Sequence, residues 1–243
     1  MRYHPLLKTV IYVDGQNLHY ELENHGLLEK DVDWGKLFGY LTPERHRLVR
    51  GYWYQAARIA PWEWNPRHHP KLCPAGMELA AFQAAAEDYY RSETQRLENL
   101  QRAVFGRIEE NFDAIEFRYV GVLQVDPTRF WTDDSGKQRV GKRVGEKGVD
   151  VALAVDMVRH AAGYDHAVLL SGDFDYVPAI QAVKDMLRRV TVVTLSGGAP
   201  TQGGRQARRL RSLCDNEVDV AVSDLKGRFR FNPAQPPAGP STP

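Results

Sequence analysis

The sequence predicts an α/β fold built on a mostly parallel sheet, and three observations predict it. Short β-branched, apolar runs recur as KTVIYV (8–13), HAVLLSG (166–172) and VTVVTLS (190–196). Stretches with helical periodicity separate them, the alternation expected of βαβ units. Acidic residues stand where the apolar runs stop: Asp14 after the first, and Asp173 and Asp175 after the HAVLLSG run. In such sheets the working site lies beyond the carboxyl ends of the strands.

The elements follow in order. Residues 8–13 read as a buried strand, and DGQN turns the chain into a helix reaching about Leu22. DWGKLFGYL (33–41) reads as a short helix capped by Asp33, and RLVRGYWYQ (47–55) as a second strand. Pro61, Pro66, Pro70 and Pro74 break any regular pattern between 58 and 75, where Trp62, Trp64, His68, His69 and Cys73 crowd together. Leu97, Leu100, Val104 and Ile108 keep helical spacing in a region from about 76 to 111. A third strand is expected at 115–123, then an exposed polar loop over 124–147. GVDVALAVDMVRHAAG reads as an apolar helix, DYVPAIQAVKDMLR and ARRLRSLCD as further helices, and VDVAVSD as a last strand.

Composition bounds the class. Of 243 residues, 43% are hydrophobic and 26% charged, which is ordinary for a globular protein with a sizeable core. No run of about 18 apolar residues exists, so no membrane span is expected. The N-terminal apolar stretch runs straight into a polar turn, unlike a secretion signal. With only two, distant cysteines, Cys73 and Cys214, this favours the reducing cytoplasm. Net charge is only +1, yet KQRVGKRVGEK (137–147) holds five basic residues and one acid, and RQARRLR (205–211) holds four arginines and no acid. Such runs serve either as solvated faces or as tracks for a polyanion.

A carboxylate just past a buried strand is costly unless something pairs with it. Asp14, Asp150, Asp173 and Asp175 are hard oxygen donors that one sheet edge would gather, a set suited to Mg²⁺ or Mn²⁺ and to reaction at a phosphate ester. Asn17 and Ser171 are neutral groups suited to orienting a carboxylate, a water or a phosphate. Each acid also has a plainer reading: Asp14 as a turn residue before Gly15, Asp150 as a charge on a helix N-terminus, Asp173 as an N-cap. Asp156 lies two turns into its helix and is expected outside the ion's reach, as a partner for an arginine or a support.

VIYVDGQNLHYEL, KGVDVALAVDMVRHA and HAVLLSGDFDYVPAIQAVKD together resemble the NYN group of PIN-like nucleases, including the LabA-like proteins. The shared pattern is D-x-x-N after strand one, K-x-x-D opening the central helix and S-G-D-x-D after the next strand, spread over about residues 8–222. The resemblance implies a PIN-like Rossmannoid fold, a three-layer sandwich with helices flanking the sheet. It also implies a divalent-metal endoribonuclease whose metal and catalytic residues are Asp14, Asp150, Asp173 and Asp175. Asn17 and Lys147 match its accompanying polar positions, with Lys147 able to neutralise a phosphate. On this reading residues 1–225 form the nuclease domain, 57–95 an insertion rich in proline and tryptophan, and 226–243 a disordered tail.

An endonuclease acting on single-stranded or structured RNA needs a basic track. Lys137, Arg139, Lys142 and Arg143, which lead into Lys147, and Arg205, Arg208 and Arg209 are the candidates. Trp62, Trp64 and Trp131 are candidates for base stacking, whereas Trp53 reads as core. The 57–95 segment equally suits a homodimer contact or a protein partner. His68, His69 and Cys73 lack a second ligand pair for zinc. Two other functions stay open. A Rossmann-like phosphatase would need a second acid near Asp14, where the chain has Gly15 and Gln16. An RNA-binding regulatory module with weak or no catalysis would tolerate loss of the carboxylates.

Overall fold

The computed structural model describes residues 5–196 and 212–232. The described strands are β1 (Leu7–Asp14), β2 (His46–Ile59), β3 (Ile115–Thr132), β4 (Gln138–Lys147), β5 (His166–Leu170), β6 (Arg189–Ser196) and β7 (Asn216–Ala221). The helices are α1 (Gly15–Asn24), α2 (Trp34–Leu41), α3 (Leu79–Leu100), α4 (Gly106–Asn111), α5 (Val149–Arg159), α6 (Val177–Asp185) and α7 (Val222–Lys226). The strands form one seven-stranded sheet in the order β4-β3-β2-β1-β5-β6-β7. It is mostly parallel: β1 runs with β2 and β5, β5 with β6 and β6 with β7, while β3 and β4 are antiparallel. The fold is thus α/β, as the periodicity predicts, and it fits a PIN-like sandwich.

The chain clusters into two compact units. The first holds the residues up to Gln55, Val104–Tyr119 and those from Asp150 onward; the second holds Ala56–Ala103 and Val120–Val149. In the first unit the central strands are covered on both faces, and Ile11, Tyr12, Val13, Val168, Leu169 and Val192 are fully excluded from solvent. That burial explains their near-continuous apolar runs. Helices α1, α5 and α6 contribute Leu18 and Leu22, Leu153 and Met157, and Ile180 and Val183 to the core. Trp53 packs edge-on against Trp34, with ring centroids 4.7 Å apart, and beside Phe105 and Phe117. It is core, as its apolar strand suggests. Asp33 caps α2 by accepting from the Lys36 backbone at 3.0 Å. The chain stays packed beyond α7: Phe229 is buried, Arg230 bridges to Val32, and the Arg228 guanidinium lies 4.3 Å from the Tyr40 ring centre.

The second unit corrects the sequence reading of 124–147. An exposed loop is expected there, but most of it forms the β3–β4 hairpin. The polar, glycine-containing composition suggests a loop, but the glycines and Pro127 occupy bulges and close contacts within the hairpin. The register slips between Asp126 and Phe130, around Pro127. Gly141 adopts φ +90 beneath the Tyr89 ring, where any side chain would collide. Trp131 donates its indole N–H to the Gly141 carbonyl at 2.8 Å. Arg143 reaches Glu93 on α3 through two bonds of 2.7 and 3.3 Å, fixing the hairpin against the helix. The proline-rich segment is a small aromatic cluster, with Trp62 stacked on His69 and Trp64 edge-on to both His69 and Phe82. Of the helix expected at 207–215, residues 207–211 lie outside the described residues and 212–215 form turns and bends.

Candidate active site

Strand register builds the centre. Val13 lies opposite Leu170, so the next residue of each parallel strand, Asp14 and Ser171, emerge side by side at the carboxyl edge. Asp14 is 3% exposed, and both of its carboxylate oxygens accept hydrogen bonds. Its Oδ1 accepts the Asn17 backbone N–H at 3.0 Å, which caps α1. Its Oδ2 accepts the Ser171 hydroxyl at 2.9 Å and the Tyr176 hydroxyl at 3.2 Å. The Asn17 side-chain oxygen accepts the Gly172 N–H at 3.1 Å and so ties the turn after β5 to α1. The Asp173 N–H donates to the Ser171 oxygen at 3.1 Å. Asp173 Oδ1 in turn accepts the Asp175 N–H at 3.0 Å, winding 174–176 into one tight turn ahead of α6.

Asp150 enters from the first turn of α5. Its Oδ1 lies 3.4 Å from the Tyr176 hydroxyl, so a single phenol touches carboxylates from two elements. Burial pushes the Asp14 carboxyl up to about 6, against its hydrogen bonds from Asn17, Ser171 and Tyr176, and the neighbouring Asp150 charge adds to the rise. Burial likewise raises Asp150, helped by the charges of Asp173 and Asp175 and opposed by the Tyr176 bond. Asp14, Asp150 and Asp173 therefore form one electrostatic cluster, with Asp175 at its exposed margin. Among the described residues, none of the four carboxylates makes an ion pair with a lysine, arginine or histidine. Such uncompensated negative charge suits a hard cation. Among the described residues no three His, Cys, Asp or Glu side chains close into a ligand set. That arrangement still suits Mg²⁺, which keeps several waters and uses one or two carboxylates plus substrate oxygens.

Tyr176 is the residue the sequence reading missed. Its signal is the spacing Tyr176, Ile180, Val183, which puts all three on the buried side of the α6 segment. Asp156 is taken up elsewhere, accepting the Tyr54 hydroxyl at 2.7 Å and lying 3.8 Å from Arg159. Lys147, the last residue of β4, is exposed and belongs to the second unit. There Lys137 and Lys142 are exposed, with Lys142 5.5 Å from the Trp131 ring centre. Arg139 pairs with Asp133 at 2.8 Å, and Arg143 is engaged by Glu93. Bonds from the Ser135 hydroxyl, Arg139 and the Lys137 backbone hold the Asp133 carboxyl well below the usual range. Arg205, Arg208 and Arg209 lie outside the described residues. His69 Nδ1 accepts the Asn65 N–H at 2.9 Å, so this ring is already used in local packing.

The NYN domain model matches residues 86–221, more than half of the chain. The chain belongs to the NYN domain family. It therefore carries a domain of the PIN-like nuclease class, whose members are generally nucleases and generally use divalent metals. The matched span includes Asp150, Ser171, Asp173 and Asp175, while Asp14 and Asn17 precede it. The chain is 31% identical over 88 residues to the Low amplitude and bright protein LabA of Synechococcus elongatus. That match covers 36% of this chain and 42% of the relative, so less than half the relative's length is spanned. A crystal structure of a protein of unknown function from Vibrio parahaemolyticus superposes with a TM-score of 0.46 at 17% identity, covering 95% of this chain and all of that one. Among the described residues no helix is long and apolar enough to cross a membrane.

Proposed function

We propose that this NYN domain is a divalent-metal-dependent endoribonuclease whose centre is Asp14, Asp150, Asp173 and Asp175. The observation that carries this reading is the buried Asp14, held by three hydrogen-bond donors beside Asp150 and with no cationic partner among the described residues. A protein that needed Asp14 only for folding would pair its buried charge with a cation.

Mg²⁺ or Mn²⁺ bound by these carboxylates would lower the pKa of an attacking water and stabilise the leaving oxygen. The protein's own contribution is placement. Ser171, Asn17 and Tyr176 fix the Asp14 carboxylate, and the Asp173 cap sets the turn that carries Asp175. Asp175 is the most exposed of the four and takes the substrate side of the cluster. Lys147 keeps the phosphate-neutralising role its place in the K-x-x-D motif implies, with RNA as the polyanion. Lys137, Lys142 and the arginines at 205, 208 and 209 are the proposed backbone contacts, with Arg139 and Arg143 available only by leaving their acidic partners. The nuclease domain is proposed to span residues 1–225, with 57–95 as an elaboration that meets a second copy or a protein partner, in a cytoplasmic setting.

A circular, unstructured RNA tests the activity and its endonucleolytic character together. Purified chain with Mn²⁺ or Mg²⁺ linearises the circle, and chelation with EDTA stops it. A circle left intact across both metals contradicts the proposal.

A further inference from the structure

Among the described residues, one group bonds both Asp14 and Asp150. The Tyr176 hydroxyl lies 3.2 Å from Asp14 Oδ2 and 3.4 Å from Asp150 Oδ1, while Ser171 and Asn17 reach only Asp14. The two acids come from different elements, the end of β1 and the start of α5, and nothing in local chain geometry fixes one against the other. Tyr176 is 1% exposed. It shares the buried side of the α6 segment with Ile180 and Val183, the Asp173 cap shapes the turn that carries it, and Pro178 stiffens the first turn of α6. The hydroxyl therefore has little freedom to follow the carboxylates, and the carboxylates must follow it.

The choice of side chain matters as much as its position. A lysine here would neutralise the cluster and take the place of a cation. A phenylalanine would leave two like charges facing each other without a common donor. A phenol carries one proton, and shared between Asp14 Oδ2 at 3.2 Å and Asp150 Oδ1 at 3.4 Å it draws both carboxylates to one donor and removes none of the negative charge. Its ionisation is no part of this role.

We propose that Tyr176 is a positioning residue, whose hydroxyl turns the Asp14 and Asp150 carboxylates toward one point and makes them a joint site for a divalent cation. This rests on the metal-site reading above, but not on RNA being the substrate. Groups that orient ligands without touching the ion typically carry a roughly 10- to 100-fold share of metal affinity.

The test is Mn²⁺ binding without RNA, followed by loss of the free-ion electron paramagnetic resonance signal, for the full chain and three variants. Tyr176→Phe keeps the ring and its packing, and is expected to weaken Mn²⁺ binding about ten-fold. Asp14→Asn sets the baseline for loss of a direct ligand. Tyr54→Phe removes another tyrosine–aspartate bond, the 2.7 Å contact to Asp156, and controls for general loosening. It is expected to bind Mn²⁺ as the parent chain does. In RNA cleavage, Tyr176→Phe raises the Mn²⁺ concentration for half-maximal rate by a similar factor and leaves the KM for RNA unchanged. Unaltered Mn²⁺ binding in Tyr176→Phe overturns the proposal, as does equal weakening in Tyr54→Phe or a parent chain that binds no Mn²⁺. A parent chain that binds Mn²⁺ but leaves RNA intact sinks the ribonuclease reading alone, and the binding comparison still decides the role of Tyr176.

Discussion

Asp14 carries an energetic conflict that a single substitution should expose. Burial raises its carboxyl from 3.8 to about 6, so the folded chain holds a proton more tightly than the unfolded one. The stability from that proton is fully present below 3.8 and is lost as pH rises through about 6. At pH 7 the ionised group then opposes folding by roughly 3 kcal/mol in the metal-free state. Asp14→Asn should therefore melt higher than the parent chain at pH 7 without metal, and the gain should shrink toward pH 4. Differential scanning calorimetry across that range checks both the sign and the trend. The neighbouring Gly15 makes the opposite prediction. A Cβ there would collide with Gln55 Oε1 and the Tyr54 carbonyl and come within 2.7 Å of Trp53 Nε1, all buried. Gly15→Ala should cost about 1–3 kcal/mol in urea unfolding and impair cleavage by displacing Asp14. The acids and Asn17 were legible at this scale because each punctuates an apolar run. Tyr176 was not, because a tyrosine on a buried helical face reads as core until its hydroxyl is seen between two carboxylates.

At the scale of elements, the amino ends of the strands carry a second polar network. His46 on β2 and His166 on β5 both approach the Thr9 hydroxyl on β1, at 2.9 and 3.4 Å, and His166 Nε2 lies 2.8 Å from the Thr191 hydroxyl on β6. Burial first, then the charges of His46 and Arg189, lower the His166 imidazole from 6.5 to about 4, with Asp215 opposing. His46 is lowered as well, by burial and Arg189 against Asp165. The folded state thus binds fewer protons than the unfolded state in this window. The network's contribution is intact above 6.5 and is lost as pH falls toward 4, amounting to about 2–3 kcal/mol. Asp14 acts with the opposite sign over part of the same range, so the Asp14→Asn background removes that opposing contribution, and comparison with His166→Gln in the same background assigns what remains. In it, urea midpoints should fall from pH 7 to pH 4.5, and His166→Gln should flatten the fall; equal slopes would remove His166 as the cause. His46 stands among charged residues in PERHRLVR and His166 opens the HAVLL run, so neither gave a periodic signal, and they meet only when the strands pair. The β3–β4 hairpin was missed for a related reason: its glycines and Pro127 serve bulges and the contact with Tyr89, which are tertiary demands absent from local pattern.

For the whole molecule, the mostly parallel sheet was readable from alternating runs, and its register accounts for Asp14 meeting Ser171 157 residues away in sequence. The division into two units was not readable, because the second is assembled from separated stretches, 56–103 and 120–149. On the proposed function the carboxylate cluster is a working metal site on an RNA-cutting domain. The most direct test of that claim is the Mn²⁺-dependent cleavage rate of one labelled RNA by the parent chain, Asp14→Asn and Asp173→Asn, each first shown to be folded by circular dichroism. The predicted result is cleavage by the parent and a loss of at least about a hundred-fold in both variants. Cleavage at the parent's rate by both folded variants would contradict it.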